Sequence, residues 1–266
     1  MLSSGVLGLI VGVILALTGA GGGILAVPLL VFGAGLGVAE ASPIALLAVG
    51  IAAALGAGLG LREGIVRYKA ALMMAGTGML LSTTGIWLAN RVDGRWLGIL
   101  FAVVMLWTAY KTVRQAHDQP KRHVYGGRTP ACVRNATSGR FVWTRPCAFI
   151  LALSGAVAGL LSGLLGVGGG FVMVPALQRH SDLAMPSVIA TSLAVIALLS
   201  VAGVASSILA GHLDWQVAVP FSAGTLAGMI AGRLISSRLS GPHLKYGFAL
   251  VSALVAVGMI GKALHQ

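Results

Sequence analysis

Long stretches without a charged side chain constrain this sequence more than any other feature. No Asp, Glu, Lys or Arg occurs in residues 1–39, 70–90, 146–178, 183–213 or 215–232. Several of these stretches exceed the roughly 20 apolar residues that an α-helix needs to cross the hydrocarbon core of a bilayer. Only 9% of all residues are charged, whereas a soluble domain carries roughly 25%. The sequence therefore predicts an all-α polytopic membrane protein.

The chain contains an internal duplication. An offset of 147 positions aligns GAGGGILAVPLL, residues 19–30, with GVGGGFVMVPAL, residues 166–177. The same offset pairs Gly8 with Gly155, Arg91 with Arg238 and several further positions far from the glycine-rich motif. The predicted domains are a first transmembrane repeat over residues 1–114, a linker over 115–146 and a second transmembrane repeat over 147–266.

Each repeat divides into five apolar segments, and the segment after each glycine run is short. In the second repeat it covers only Phe171 to Gln178. Eight residues make about 12 Å of helix, against a hydrocarbon core of about 30 Å. We therefore predict that the segments after the Gly-rich motifs are short half-helices or the returning arms of hairpins, tolerated at depth only where they are buried in protein or line a cavity.

An odd number of segments makes the second repeat enter the membrane from the opposite side, which predicts two inverted repeats of five helical segments each. With five segments per repeat, 15 of the 18 Lys and Arg residues fall on one side of the membrane. Reading each glycine-run pair as one broken helix sorts them twelve to six instead. Cytoplasmic loops are rich in Lys and Arg. We therefore expect a multi-pass protein of the cell inner (plasma) membrane with both termini outside and a basic cytoplasmic linker, 115–146.

The glycine runs are candidate anion sites. Backbone N–H groups at a helix start have no intrahelical acceptor, glycine lets a ligand approach closely, and the helix dipole favours negative charge. The alternative is that these glycines only allow helices to pack closely. The candidate substrate-binding residues of the two motifs are Gly21, Gly22, Gly23, Pro28, Gly168, Gly169, Gly170 and Pro175.

Hydroxyl groups within the apolar stretches are further candidates. Ser42, Thr191 and Ser192, with Thr18 beside the first run, could complete a neutral cage of donors around a small anion. Each could instead bond to its own helix backbone. With a small gap, Ala41-Ser42-Pro43 aligns with Thr191-Ser192-Leu193, so the two half-sites are not expected to be equivalent.

Other glycines recur at GxxxG spacing, which places small residues on one face of a helix. We expect these positions to be packing surfaces rather than ligand contacts. They are Gly8 and Gly12, then Gly155, Gly159 and Gly163, then Gly224, Gly228 and Gly232.

Several functional classes find no support. The chain has no HExxH, GxSxG or P-loop motif, so we do not expect an enzyme, and no metal or cofactor is predicted. The positive charges are spread between apolar segments rather than gathered in one basic domain, so we expect no nucleic-acid partner. Cys132 and Cys147 match no metal-ligand spacing and indicate no disulfide framework.

The paired glycine motifs, the ATSLAV stretch and the block GHLDWQVAVPFSAGTLAGMIAGRL together resemble the TauE/SafE sulfite exporter family of membrane transporters. The resemblance covers nearly the whole chain outside the linker. It implies a small sulfur oxyanion as ligand, such as sulfite, sulfoacetate or a related organosulfonate.

The leading functional hypothesis is a secondary transporter that moves this small anion by alternating access. A passive anion channel and a membrane scaffold without transport remain as alternatives. The coupling ion, proton or sodium, stays open. No acidic residue lies within an apolar stretch to relay protons, and the sequence does not predict an oligomeric state.

Overall fold

The structure is a computed structural model that describes residues 2–19, 21–89, 91–118, 132, 144–209, 213–236 and 242–265. These residues are almost entirely helical. The first repeat forms α1 (Leu2–Thr18), α2 (Gly21–Gly33), α3 (Val38–Arg62), α4 (Tyr68–Ala89) and α5 (Gly94–Asp118). The second forms α6 (Arg145–Leu165), α7 (Gly170–His180), α8 (Met185–Leu209), α9 (Trp215–Ser236) and α10 (Pro242–His265).

Helix length separates the spanning helices from the short ones. Within the described residues, six helices are long and apolar enough to cross a membrane, namely α3, α4, α5, α6, α8 and α9. The helices after the glycine runs are short, with 13 residues in α2 and 11 in α7. These lengths correspond to about 20 and 16 Å. The all-α polytopic fold and the short helices after both Gly-rich motifs are therefore confirmed.

Helices of one repeat pack along helices of the other. Gly8 and Gly12 of α1 lie against Thr225 and the backbone around it on α9. At the equivalent place in the other half, Gly155 and Gly159 of α6 lie against Met74 and Gly78 of α4. Contacts advance in the same direction along both helices of each pair, so α1 runs parallel to α9 and α6 parallel to α4.

The GxxxG prediction is confirmed at these two interfaces. In each pair the glycines face backbone atoms of the partner helix, with no room for a Cβ atom. Those meeting the partner backbone are Gly8, Gly12, Gly224, Gly228 and Gly232 in the α1–α9 pair, and Gly155, Gly159 and Gly163 in the α4–α6 pair.

The long helices α3 and α8 occupy equivalent places in the two repeats and pack against each other at the centre. Gly50 of α3 faces Ser200 of α8, and Gly60 faces Ala190. Contacts therefore advance along α3 while they recede along α8, so the two helices are antiparallel. About half of their apolar residues are buried, and these contribute to the core of the protein.

One sequence-based expectation needs correction. Cys132 and Cys147, for which no disulfide was expected, form one, with Cα atoms 5.0 Å apart. The sequence does not predict this pairing, because it depends on where the linker returns to the helices. The Cys132 N–H donates to the His180 carbonyl oxygen at 3.0 Å, which holds the linker at the end of α7. The helices also extend into the predicted linker, since α5 ends at Asp118 and α6 begins at Arg145. The rest of residues 119–143 lies outside the described residues.

The glycine interfaces predict a sharp difference between two positions on α4. A Cβ atom on Gly85 would lie 2.5 Å from the Leu160 carbonyl oxygen, whereas one on Gly76 meets nothing within 4 Å. We expect Gly85→Val to destabilise the purified protein by about 1–3 kcal/mol through overpacking. Gly76→Val carries the same helix-propensity cost and serves as the control. Thermal unfolding in detergent measures both, and equal melting temperatures would contradict the packing described here.

Candidate functional site

The two glycine runs lie beside the middle of the central helices. A Cβ atom on Gly23 would lie 3.6 Å from Val49 of α3, and one on Gly168 would lie 3.1 Å from Ile196 of α8. Val49 and Ile196 each stand near the midpoint of a 25-residue helix. The runs also meet each other, because the Gly23 Cβ position lies 2.7 Å from the Val167 carbonyl oxygen. The candidate site is therefore a single buried region to which both repeats contribute.

The middle glycine of each run is fixed by the helix before it. A Cβ atom on Gly22 would lie 2.6 Å from the Val11 carbonyl oxygen of α1, and one on Gly169 would lie 2.5 Å from the Ala158 carbonyl oxygen of α6. The two contacts are related by the 147-residue offset. Close packing therefore accounts for these two glycines, as the alternative interpretation of the sequence proposed.

The second run needs glycine for its backbone conformation as well. Gly166, Gly168 and Gly169 have φ angles of 69°, 75° and 67°, a region that side-chain-bearing residues rarely adopt. This sharp turn ends α6 and points the start of α7 towards the middle of α8. Among the described residues, no acceptor takes a hydrogen bond from the N–H groups of Gly168, Gly169 or Gly170. These N–H groups are donors left over at depth in an apolar interior.

The two predicted serines hold the turns in place across the repeats. Ser42 Oγ donates to the Val38 carbonyl at 2.8 Å and to the Leu165 carbonyl at 3.2 Å, just before the second glycine motif. Ser192 Oγ donates to the Ile189 carbonyl at 2.8 Å and to the Gly19 carbonyl at 3.2 Å, in the first motif. Each serine thus binds the turn that belongs to the other repeat.

The two threonines bond to the backbone as well. Thr191, which is fully buried, accepts a hydrogen bond from the Arg67 N–H at 3.1 Å and so joins α8 to the loop before α4. Thr18 Oγ1 donates to the Ile14 carbonyl at 2.7 Å within α1. None of the predicted hydroxyls is therefore free of backbone contacts.

The gap introduced to align Ser42 with Ser192 is not needed. Gly166 lies against Ser42, and Gly19 lies against Ile189. Gly166 corresponds to Gly19 at the offset of 147, and Ile189 corresponds to Ser42 at the same offset. Ser42 and Ile189 are therefore equivalent without a gap. Ser42 and Ser192 reach opposite turns from positions that are not equivalent. The sequence motif suggested a match because both segments contain a serine near the start of a long helix.

Ser200 is the functional candidate that sequence reasoning missed. Its side chain is 2% exposed, and its hydroxyl has no hydrogen-bond partner among the described residues. Ser200 Oγ lies 3.8 Å from the Cβ position of Gly168 and 3.1 Å from that of Gly50. A buried serine normally donates to the carbonyl one turn earlier in its helix. Ser200 does not, so its hydroxyl and the N–H groups of the second run are unpaired donors in the same region.

The two motif prolines have different surroundings. Pro28 is buried within α2, whereas Pro175 is half-buried in α7 and lines a separate cavity next to α5. Pro28 therefore lies in the protein core, and Pro175 lies away from the meeting point of the glycine runs.

Long apolar helices, two short helices that begin at depth and a buried cluster of donors are typical of a membrane transport protein. The chain matches the family described as sulfite exporter TauE/SafE over residues 4–259. It belongs to that family.

Similar proteins carry transporter names. One from Xylella fastidiosa, "Probable membrane transporter protein", is 28% identical over 96% of this chain and 92% of its own length. "Probable membrane transporter protein YunE" from Bacillus subtilis is 24% identical over 96% of this chain and 95% of its own length. A similarly named protein from Methanocaldococcus jannaschii is 25% identical over the same share of this chain and 93% of its own length. No solved structure gives a significant match.

The glycine turn can be tested against a matched glycine. Gly169 and Gly35 have similar φ angles, 67° and 71°, but only Gly169 faces a backbone carbonyl, while Gly35 has nothing within 4 Å of its Cβ position. Alanine at either site costs roughly 1–2 kcal/mol for the left-handed conformation. We expect Gly169→Ala to lower the melting temperature clearly more than Gly35→Ala. If Gly35→Ala is as damaging, the contact with Ala158 does not hold the turn.

Proposed function

We propose that this protein is a secondary transporter that carries a small oxyanion across the inner membrane by alternating access. Sulfite or an organosulfonate such as sulfoacetate is the proposed substrate. The single observation that carries the proposal is the group of unpaired donors at the start of α7, made of the N–H groups of Gly168, Gly169 and Gly170 and the Ser200 hydroxyl.

These donors favour an anion for two physical reasons. An unpaired polar group in an apolar interior costs roughly 1–3 kcal/mol, which a ligand with acceptor oxygens would recover. The aligned peptide dipoles of α7 add roughly half a positive charge at its first residues. Both contributions are neutral donors rather than full charges. They suit an anion that must also be released.

The distribution of acidic residues supports the same class of substrate. All six lie at helix ends or in loops, away from the glycine runs: Glu40, Glu63, Asp93, Asp118, Asp182 and Asp214. A carboxylate at depth would repel an anion and favour a cation. Its absence from the region around Ser200 supports an oxyanion substrate and leaves the coupling ion, proton or sodium, open.

Ser42, Ser192 and Thr191 have a positioning role in this proposal, because their hydroxyls are engaged with backbone groups. Gly21, Gly22 and Gly23 supply the start of α2, and Gly168, Gly169 and Gly170 the start of α7. Pro28 and Pro175 lie farther along these helices. The substrate is proposed to contact the glycine runs and Ser200.

The antiparallel packing of α3 against α8 supports an inverted repeat, in which alternating access exchanges the roles of the two halves. The moving bodies, however, cannot be the two repeats themselves. Separating them would break the glycine interfaces between α1 and α9 and between α4 and α6. We propose instead that each of these cross-repeat pairs moves as a unit.

Spin-label distances within each pair should then stay constant between the inward-open and outward-open forms. A change in these distances would refute the proposal that each pair moves as a unit.

Uptake into proteoliposomes tests the substrate and the site together. We expect saturable uptake of labelled sulfite, competed by sulfoacetate and driven by an imposed proton or sodium gradient. Ser200→Ala removes one hydrogen bond to a charged group, which is worth about 1.5–3 kcal/mol. We expect a roughly tenfold to hundredfold higher KM. Ser206→Ala on the same helix is the control, because the Ser206 hydroxyl already donates to the Gly203 carbonyl.

Substitution of the glycines is a weaker test of the site. Leucine at Gly22 or Gly169 would collide with α1 or α6 and disturb the fold before it affected a ligand.

Normal uptake by the folded Ser200→Ala variant would exclude this site. Voltage-driven current in planar bilayers, far above carrier rates, would favour the channel, and folded protein without any flux would favour the scaffold.

The orientation of the protein rests on two opposing observations. The concentration of Lys and Arg favours a cytoplasmic linker with both termini outside. The Cys132–Cys147 disulfide would favour an oxidising compartment, since cytosolic thiols are normally kept reduced. The distribution of Lys and Arg is evidence from many loops, whereas the disulfide is evidence from one. We therefore propose that the linker is cytoplasmic and that the disulfide forms only under oxidising conditions.

Labelling of the two cysteines, the only ones in the chain, distinguishes the orientations. We expect a membrane-impermeant maleimide to label reduced Cys132 and Cys147 only after the cells are opened. An impermeant reductant applied first to intact cells provides the control. Labelling of intact cells after that treatment would place the linker outside and reverse the proposed topology.

A further inference from the structure

A cavity lies between α5 and α7, away from the meeting point of the glycine runs. It has a volume of about 140 Å³ and is lined mainly by Trp107 and Lys111 of α5 and by Pro175, Arg179 and His180 of α7. One water needs about 10–15 Å³ of such space. The cavity is therefore large enough for a small oxyanion and part of its hydration shell.

The charges around this cavity are of one sign. Lys111 and Arg179 both line it, and no carboxylate does so among the described residues. Lys111 Nζ lies 4.0 Å from the centre of the Trp107 ring, a cation–π contact that holds the ammonium group at the cavity without neutralising it. Two like charges that share a partly enclosed space repel each other, and a bound anion would remove that repulsion.

The cavity lies at the linker end of the protein. Cys132 bonds to the His180 carbonyl and is joined by the disulfide to Cys147 in the first turn of α6. The linker therefore reaches the rim of the cavity. The other end of α7 is the glycine run, ten residues away or about 15 Å. One short helix thus connects the basic cavity to the proposed substrate site.

Among the described residues, an apolar contact occupies the equivalent place in the first repeat. The 147-residue offset relates Arg179 to Phe32 and Lys111 to Gly258. Phe32 of α2 packs on Gly258 of α10, with ring atom Cζ 3.3 Å from the Gly258 Cβ position. Helices α2 and α10 therefore meet through an aromatic ring at one end of the molecule. The equivalent helices α7 and α5 meet through two cations at the other end. The repeat supplies its own comparison, in which the charges are not needed for packing.

We propose that Lys111 and Arg179 form a second anion site, a basic vestibule on the linker face that collects the oxyanion before it reaches the glycine runs. The class of ligand rests on the proposed function, but the site does not. At the equivalent place in the first repeat the described residues form an apolar contact instead, so we expect the transporter to bind its substrate unequally from the two sides.

Calorimetric titration of the full-length protein in uncharged detergent tests the site without requiring transport. Methanesulfonate is the probe, because sulfite itself can cleave a disulfide. We expect Lys111→Gln with Arg179→Gln to weaken binding at one site by about tenfold or more, with an effect that shrinks in high salt. The control is Arg62→Gln with Lys69→Gln. It removes the same charge from exposed residues at the loop between α3 and α4, which contacts the start of α8 through Arg67 and Thr191 and so lies on the same face.

The outcomes separate the two proposals. Loss of one site in the Lys111/Arg179 variant, with Ser200→Ala affecting another, supports both. Loss of a site in the Lys111/Arg179 variant, in a protein that never transports an anion, supports the vestibule and refutes the proposed function. Binding equal to that of wild type in the variant, with or without transport, refutes the vestibule.

The phosphate of an anionic lipid has similar chemistry, and a second arm distinguishes this source. The titration is repeated with short-chain phosphatidylglycerol in the detergent. Displacement of the lipid by methanesulfonate supports a vestibule for soluble anions. Binding of the lipid alone, lost in the Lys111/Arg179 variant, would overturn the proposal in favour of a lipid site.

Discussion

Close contact between helix backbones at glycine residues is the interaction on which the rest of this structure depends. In a bilayer, apolar side chains gain little by leaving lipid for protein, so helices associate largely through van der Waals packing and polar contacts. Glycines at positions such as Gly12 and Gly159 let α1 approach α9 and α6 approach α4 until backbone atoms touch. These interfaces join the two repeats, so neither repeat forms a separate bundle.

This interlocking explains how two short helices are tolerated at depth. A helix that starts in the middle of a membrane exposes backbone groups that need partners or a cavity. Ser42 and Ser192 bond to carbonyl groups at the opposite turns, and each can do so only because the repeats are interleaved. Among the described residues, the N–H groups of Gly168 to Gly170 remain without an acceptor, and the Ser200 hydroxyl lies 3.8 Å from the Cβ position of Gly168. Packing thus satisfies most of the backbone and leaves a small set of donors together.

The two halves depart from symmetry at the residues that are proposed to bind anions. Ser200 corresponds to Ala53, and Ser42 to Ile189. Arg179 and Lys111 correspond to Phe32 and Gly258, so a basic cavity at one end of the protein matches an apolar contact at the other. None of these differences disturbs the helix framework. The fold therefore keeps the same helix packing in both halves while the two halves differ in polarity at these positions.

The sequence by itself determined the all-α membrane fold, the duplication and the short helices after the glycine runs. Charge-free segments of membrane-spanning length and a motif repeated at a fixed offset are local properties that can be read along one chain. It also identified the GxxxG faces, although not their partners.

Only the tertiary structure decided that α1 packs on α9, that Cys132 meets Cys147, that Ser200 faces Gly168 and that Lys111 and Arg179 share a cavity. Each of these pairings joins residues from different helices or from the linker. An apolar stretch in a membrane can pack against many others, and hydropathy alone does not distinguish between them. Backbone contact at glycine does, and it acts only once the helices have come together in three dimensions.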